Sequence, residues 1–234
     1  MGLTKRSESS TVYLEIKHYR IWNQLEREVA GCDVVEATNP KTKQTVLKYG
    51  WGYAELTARA TKLVKYDTES KYATRYYGYK LHLVDDADGS QFSLDMPYHS
   101  QVLRKFLRIA PSIDWDLPFT IQVWKGKTKE GQGAAETAIL FRQSGDTVKW
   151  FFTREHANGM PEATQDPDTK EWDYRAQHRW LIEDLKARTI PAIEQAAAKH
   201  SPLVSQPKLA QQLTDVPDEA NWNNAPIDDD DVPF

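Results

Sequence analysis

The sequence has a single cysteine, Cys32, so the chain can form no internal disulfide and lacks a cysteine pair for a zinc site. This fits a reducing compartment, and we expect Cys32 to be a small core residue. No apolar run reaches the length of about 18 residues that a transmembrane helix needs. The polar N-terminus, MGLTKRSESS, lacks the apolar core of a signal peptide. These absences predict a cytoplasmic protein.

The common catalytic and metal-binding motifs are also missing. Residues 126–128 resemble the end of a phosphate-binding loop, but Ile121 stands where that loop needs glycine. Asp88 and Gly89 fit a hairpin turn better than a calcium loop, whose first ligand position would be Val84. The histidines show no HxxxH or HxH spacing, and no GxSxG is present. We therefore expect no catalytic residue, no metal and no cofactor.

Charge is distributed unevenly along the chain. The formal net charge is −4, but residues 215–234 hold seven acids and no base. Residues 41–80 hold nine bases and three acids, a net charge of +6. Such segregation indicates that the body of the chain meets an anion and that its tail meets a cationic partner.

Hydrophobic periodicity predicts a mainly β fold with two helices. The strand-like segments are residues 11–22, 45–66, 74–84, 92–96, 119–124, 136–141 and 147–154, with a short helix as the alternative for 55–64. A turn at Asp88-Gly89 joins two of them into a hairpin. Helices are predicted over 100–109, ended by Pro111, and over 174–199, interrupted near Pro191.

Six to eight short strands interrupted by one helix are typical of a small barrel. We predict an elaborated oligonucleotide/oligosaccharide-binding (OB) fold, a five-stranded Greek-key barrel with extra strands, one helix between strands and a C-terminal helix. A general α+β sheet domain is the alternative.

The basic stretch 41–80 also contains eight aromatic residues, which interleave with its bases. Lysine and arginine neutralise backbone phosphates, and aromatic faces stack on unpaired bases at about 1–3 kcal/mol each. Glycines at positions 50, 52 and 78 would let a base or a backbone approach closely. Because a duplex hides its base faces, this combination favours single strands, although a single aromatic residue in a strand more often packs in a core.

Alternation along residues 75–84 separates a core face from a ligand face. The face of Leu81 and Leu83 also carries Tyr77 and Tyr79, so we expect these side chains to lie in the core. The opposite face is the better ligand face and carries Tyr76, Lys80 and His82.

The same rule applies to two later strands. Inward Ile121 and Val123 turn Trp124 outward, beside the lysines of residues 125–129. Trp150 and Phe152 share a face with Val148 and are expected to lie toward the core. The candidate DNA contacts are Lys48, Tyr49, Trp51, Tyr53, Arg59, Lys62, Arg75, Tyr76, Lys80, His82, Trp124, Lys125, Lys127 and Lys129.

The chain ends in DDDDVPF, a block of like charges followed by one aromatic residue. This ending is similar to the acidic tip of bacterial single-stranded DNA-binding proteins, which docks on replication, recombination and repair proteins. The resemblance implies that Phe234 with its carboxylate is the anchor and that the acids steer the encounter. The tip residues are Asp228, Asp229, Asp230, Asp231, Val232, Pro233 and Phe234.

The body of the chain is longer than the bacterial OB domain and looks more like the larger single-stranded DNA-binding proteins of tailed phages. We divide the chain into an OB-like domain, 1–200, a disordered linker rich in Pro, Gln and Asn, 201–227, and the tip, 228–234.

These features predict a non-catalytic protein that binds and protects single-stranded DNA without sequence specificity in phage replication, recombination or repair. We expect such a protein to act in the cytoplasm of the bacterial host cell. Two alternatives remain: a recombination annealing protein or mediator, and a nuclease that carries the same docking tip.

Overall fold

The computed structural model of the chain describes residues 11–38, 43–69, 75–126 and 137–200. Strands are its main elements, and their bounds are β1 Val12–Lys17, β2 Arg20–Leu25, β3 Asp33–Thr38, β4 Thr45–Tyr53, β5 Glu55–Glu69, β6 Arg75–Val84, β7 Gln91–Pro97, β8 Phe119–Lys125, β9 Thr137–Gln143, β10 Asp146–Thr147, β11 Thr164–Gln165 and β12 Trp172–Asp173. Within the described ranges β1 to β10 form one sheet in the order β10-β9-β8-β5-β6-β7-β1-β2-β4-β3, and β11 pairs with β12 alone.

Part of this sheet closes into a barrel because β4 runs directly into β5 through Ala54. The hydrogen-bonded pairs β5-β6, β6-β7, β7-β1, β1-β2 and β2-β4 lead from β5 to β4, and the backbone at Ala54 joins these two strands. The pair β7-β1 is parallel, and the other four are antiparallel. Strands β3, β8, β9 and β10 extend the sheet beyond these pairs. The predicted mainly β class is confirmed: one large mixed sheet and two helical segments are consistent with an elaborated barrel-like fold.

One row of leucines shows how the barrel interior forms. Leu63 on β5 pairs with Leu81, Leu81 pairs with Leu94, and Leu94 pairs with Leu14 across the parallel junction. All four side chains are buried. Because side chains alternate along a strand, the neighbouring residues of each strand must point to the outer face.

Helix α1, Gln101–Ile109, follows β7 and packs on the same core through the spaced residues Val102, Leu103, Phe106 and Leu107. The hydroxyl of Ser100 caps its first turn by accepting from the Leu103 N–H at 3.2 Å. The helix ends where it was predicted to end, and Pro111 lies in a following 3-10 turn.

The second helical segment consists of α2, Arg175–Asp184, a π-helical turn, Leu185–Thr189, and α3, Ile190–His200. The predicted interruption near Pro191 takes the form of this wide turn. Proline lacks an N–H, and its ring would clash with the carbonyl four residues earlier, so a looser turn just before it relieves the clash. No helix among the described residues is both long and apolar enough to cross a membrane.

Two predicted strands differ in the structure. Residues 11–22 are not one strand but the hairpin β1-β2, because His18 and Tyr19 both adopt positive φ and form a tight turn. The strand predicted over 147–154 is wrong beyond Thr147. The N–H groups of Phe151 and Phe152 donate to the carbonyl of Arg108 at 2.9 and 3.3 Å, so this segment closes the end of α1 instead of extending the sheet.

The prediction for Cys32 is also wrong, because this residue is only half-buried. Its N–H donates to the carbonyl of Val29 at 3.0 Å in the turn that leads into β3. Its place is therefore a turn at the edge of the sheet and not the core.

Candidate nucleic-acid interface

The outer face of β5, β6, β7 and β1 is the candidate interface. Strand register places Lys62, His82, Ser93 and Tyr13 side by side in one row across the four strands. The next row along the strands contains Lys80, directly opposite Asp95. Further rows contain Tyr66 and Tyr76. We call this surface the tyrosine platform and define it as Tyr13, Lys62, Tyr66, Tyr76, Lys80 and His82.

Lys80 lies between two of the platform's aromatic rings. Its ammonium nitrogen is 5.8 Å from the centroid of Tyr13 and 5.3 Å from the centroid of Tyr66. Tyr13 is 65% exposed and Tyr76 is 56% exposed, so two large ring faces are open to a ligand. Lys80 can pair with a phosphate while the exposed rings of Tyr13 and Tyr76 stack on unpaired bases.

The ring of Tyr66 is held in place by its neighbours. Its hydroxyl lies over Gly78, where an added Cβ would come within 2.8 Å of the hydroxyl oxygen. Burial and a hydrogen bond to the Asp95 carboxylate raise the pKa of Tyr66, so the hydroxyl remains a donor at neutral pH. The other carboxylate oxygen of Asp95, Oδ1, is buried without a hydrogen-bond partner in the described structure.

The lowered pKa of His82 indicates a positive electrostatic potential on the platform. Burial lowers the pKa of His82, and the charges of Lys62 and Lys80 lower it further. The imidazole is therefore mostly neutral at neutral pH, and the two lysines supply the positive charge. An anion that approached the platform would find this charge concentrated beside the stacking faces.

The structure unites only some of the predicted contacts. Lys62, Tyr76, Lys80 and His82 lie together on the platform, and the predicted division of β6 is confirmed: Tyr79, Leu81 and Leu83 are buried whereas Tyr76 is exposed. Tyr77 is half-buried. Its hydroxyl lies 2.7 Å from Nε2 of His99.

Tyr49, Trp51 and Tyr53 form a separate aromatic row on β4. Register places Tyr53 opposite the buried Ile21, on the other side of the sheet from the platform, and Tyr53 is 46% exposed there. Lys48 points to the opposite side from these rings. On that side, burial lowers the pKa of His18 most, the charge of Lys17 lowers it further, and the charge of Lys48 adds a smaller contribution.

The glycines of β4 leave no room for a ligand, contrary to the prediction. A Cβ on Gly50 would lie 2.5 Å from the indole of Trp22, and one on Gly52 would lie 2.6 Å from Cδ of Arg20. Asp33 also accepts from the N–H of Gly52 at 3.0 Å. The protein's own side chains therefore occupy the space that these glycines provide.

Three further predicted contacts lie apart from the platform's centre. Arg59 forms an ion pair with Asp86 in which its Nε lies 3.2 Å from Oδ1, and only 17% of the Arg59 side chain is exposed. Trp124 points outward, as predicted, and is 46% exposed. Lys125 lies 5.6 Å from the centroid of the Tyr19 ring in the β1-β2 turn.

The remaining predicted residues lie outside the described part of the chain. These are Lys127, Lys129, the linker 201–227 and the tip 228–234. Arg75 begins β6, but its side chain is not described.

Sequence reasoning missed Tyr13 and Tyr66. The alternation of Val12, Leu14 and Ile16 already indicated that Tyr13 points outward, since it lies between inward residues. Tyr66 carried no such signal, because a register shift between Ala60 and Lys62 changes the parity of β5.

The prediction that Trp150 lies toward the core is wrong, because it is 46% exposed. Val148 and Phe152 are buried as expected. The alternation fails because residues after Thr147 do not continue the strand.

No group of three or more His, Cys, Asp or Glu side chains in the described ranges is arranged to hold a metal ion. No protein-family model matches the chain, and no curated protein or solved structure matches it either.

Proposed function

We propose that this chain is a non-catalytic protein that binds and protects single-stranded DNA without sequence specificity. The observation that carries this proposal is the position of Lys80 between Tyr13 and Tyr66 on an exposed face of the barrel. Exposed rings offer stacking to any base, and the lysines offer charge to any phosphate, so the surface suits a strand of any sequence.

The cellular role follows from the ending of the sequence. The similarity of residues 228–234 to the tip of bacterial single-stranded DNA-binding proteins supports recruitment of replication, recombination and repair proteins. With the size of the body, it supports action in phage DNA metabolism in the cytoplasm of a bacterial host. This part of the proposal rests on the sequence and not on the platform.

The test compares binding of the full chain to three fluorescein-labelled ligands by anisotropy at low and moderate salt. The ligands are an oligothymidylate of about 30 nucleotides, longer than a single OB-sized site, a duplex of equal length and the corresponding RNA. We expect salt-sensitive binding that is tighter for the single DNA strand than for the duplex. Absence of binding to the oligothymidylate at low salt would contradict the proposal.

Tyr76→Ala ties that binding to the platform. Because Tyr76 is exposed, its truncation should leave the fold intact and weaken binding about 5- to 150-fold, the equivalent of one lost stacking contact. Tyr76→Phe keeps the ring and should bind like the wild type. Incubation of the strand with Mg²⁺ and the protein, followed by electrophoresis, separates binding from nuclease action, because only a nuclease shortens the strand.

A further inference from the structure

A second surface of exposed aromatic and basic side chains lies on elements that do not belong to the tyrosine platform. Its centre is Trp150, whose ring centroid is 5.5 Å from the guanidinium carbon of Arg108 on α1. Tyr174, just before α2, is 53% exposed, α2 contacts α1, and, against the larger effect of burial, the charge interaction with Tyr174 raises the pKa of Arg108. An indole, a guanidinium and a phenol thus share one patch of surface.

This patch is held by the backbone. The carbonyl of Arg108 accepts from the N–H groups of Phe151 and Phe152, which fixes the segment after Trp150 to the last turn of α1. Phe152 is completely buried beneath that segment and anchors it to the core. Trp150 is therefore presented to solvent by a fixed backbone, which lowers the entropic cost of binding a planar ligand to it.

The charge of the patch is positive. Helix α1 carries Arg104, Lys105 and Arg108 and no acid, and Lys149 next to Trp150 is exposed. Burial lowers the pKa of Arg108, and Arg104 lowers it further, but a guanidinium remains charged at neutral pH. A ligand that matches both features needs negative charge and flat apolar faces.

We propose that Arg104, Arg108, Lys149, Trp150 and Tyr174 form a second contact for unpaired nucleotides, separate from the tyrosine platform. This inference rests on the proposed function, because it assumes that the platform holds single-stranded DNA. Nucleotides fit better than an acidic peptide does, since each one brings a phosphate together with a planar base and the patch pairs cations with flat rings. One chain would then hold two stretches of unpaired nucleotides.

The second stretch has two possible sources, which share the same chemistry. It is either the continuation of the strand on the platform or a second strand. If it is a second strand, the protein brings two strands together and accelerates their annealing.

The test counts short strands bound to the full chain by isothermal titration calorimetry. The probe is an oligothymidylate of about six nucleotides, within the range of a single OB-type site. We expect the wild type to bind two such probes. Trp150→Ala should weaken one event about 5- to 150-fold and leave the other unchanged. Trp150→Phe, which keeps a ring, should retain both events, and Tyr76→Ala should weaken the event that Trp150→Ala leaves intact.

Two further assays identify the source of the second stretch. If Trp150→Ala slows annealing of complementary strands, the patch holds a second strand. If it instead lowers only the affinity for an oligothymidylate of about 30 nucleotides, the patch continues the first strand. Either outcome supports the proposal.

Other outcomes overturn it. If the chain binds only one probe, and this binding is lost in Tyr76→Ala but unchanged in Trp150→Ala, the second contact does not exist. The proposed function would still stand. Binding of a peptide with the sequence of residues 228–234, abolished by Trp150→Ala while probe binding is not, assigns the patch to acidic peptides instead. If no variant binds the probe and the full chain does not bind the longer strand, the proposed function is contradicted as well.

Discussion

The ammonium nitrogen of Lys80 lies 5.3 Å from the centroid of the Tyr66 ring, and the hydroxyl of that tyrosine is bound by the carboxylate of Asp95. The Tyr66 ring that contacts the Lys80 ammonium is therefore held in place by its own hydrogen bond to Asp95. An exposed lysine normally samples many rotamers, and ordering it costs about 1–2 kcal/mol. Contact with two rings reduces that cost for Lys80 before any ligand arrives.

Removing this charge should change the salt dependence of DNA binding. Lys80→Gln removes one cation that can displace a counterion from the DNA, so the slope of log Kd against log salt should fall by about one. Binding should weaken by a similar factor for every base sequence, since a phosphate contact reads no base. Anisotropy titrations of an oligothymidylate and an oligodeoxycytidylate at several salt concentrations measure both effects.

Arg59→Gln provides a control from the same outer face of the sheet. Arg59 was predicted to contact DNA, but its ion pair with Asp86 already neutralises its charge. Its removal should leave the salt slope unchanged and lower the free energy of unfolding by about 1–3 kcal/mol, because the Arg59 side chain is largely buried. A slope that falls equally in both variants would show that Arg59 leaves Asp86 when DNA binds.

The hydroxyl of Tyr66 should matter for stability. Tyr66→Phe keeps the ring but leaves the Asp95 carboxylate without this donor, which should lower the free energy of unfolding by about 1–3 kcal/mol. Urea denaturation followed by circular dichroism measures the loss. Tyr76→Phe removes a hydroxyl from an exposed ring on the neighbouring strand and should cost nothing measurable. Equal midpoints for the two variants would contradict the role of Asp95.

The two faces of β6 could be predicted from the sequence because a barrel strand has one face buried in the core and one face exposed to solvent. Leu81 and Leu83 mark the buried face, so Tyr76 and His82 had to fall on the other. That local rule needs no knowledge of partner strands. The rule identifies three residues of the platform, Tyr76, Lys80 and His82.

Other features depend on contacts that no local pattern contains. Gly50 looks like an open approach for a ligand until the register brings Trp22 of another strand onto it. Trp150 looks like a core residue until the next two N–H groups bind the end of α1. Arg59 looks like a free cation, yet its partner Asp86 is 27 residues away. Each of these outcomes is set by tertiary structure.

Gly50→Ala should destabilise the barrel through steric conflict alone. The added Cβ would lie 2.5 Å from the buried indole of Trp22 and 2.6 Å from the carbonyl oxygen of Asn23, and neither can move freely. Overpacking of this kind costs about 1–3 kcal/mol. Thermal unfolding followed by tryptophan fluorescence should show a lower Tm.

Gly89 offers the matched comparison, because it has open space around it but a φ of +75°. Gly89→Ala should cost about 1–2 kcal/mol through backbone strain, and Gly89→Asn should recover part of that loss because asparagine tolerates this conformation. Gly50→Asn should instead be worse than Gly50→Ala. Recovery of stability in Gly50→Asn would rule out the steric explanation.

His178 should make the fold sensitive to acid. Its ring packs edge-on against Tyr98 at a centroid distance of 4.5 Å, and its buried Nε2 has no hydrogen-bond partner in the described structure. Burial lowers the pKa of His178, and the charges of His99 and Arg104 lower it further. The unfolded chain therefore binds a proton at this histidine more readily than the folded chain does.

The stability that the neutral His178 contributes is present above the pKa of an unfolded histidine, about 6.5, and is lost as the pH falls toward its lower folded value. Phenylalanine keeps a ring against Tyr98 but cannot bind a proton. We therefore expect His178→Phe to lose less Tm than the wild type between about pH 8 and about pH 5.5, with His18 and His82, whose pKa values are also lowered, causing the loss that remains. Scanning calorimetry at both pH values measures the difference, and an identical fall in Tm for the two proteins would show that His178 is not the group that titrates.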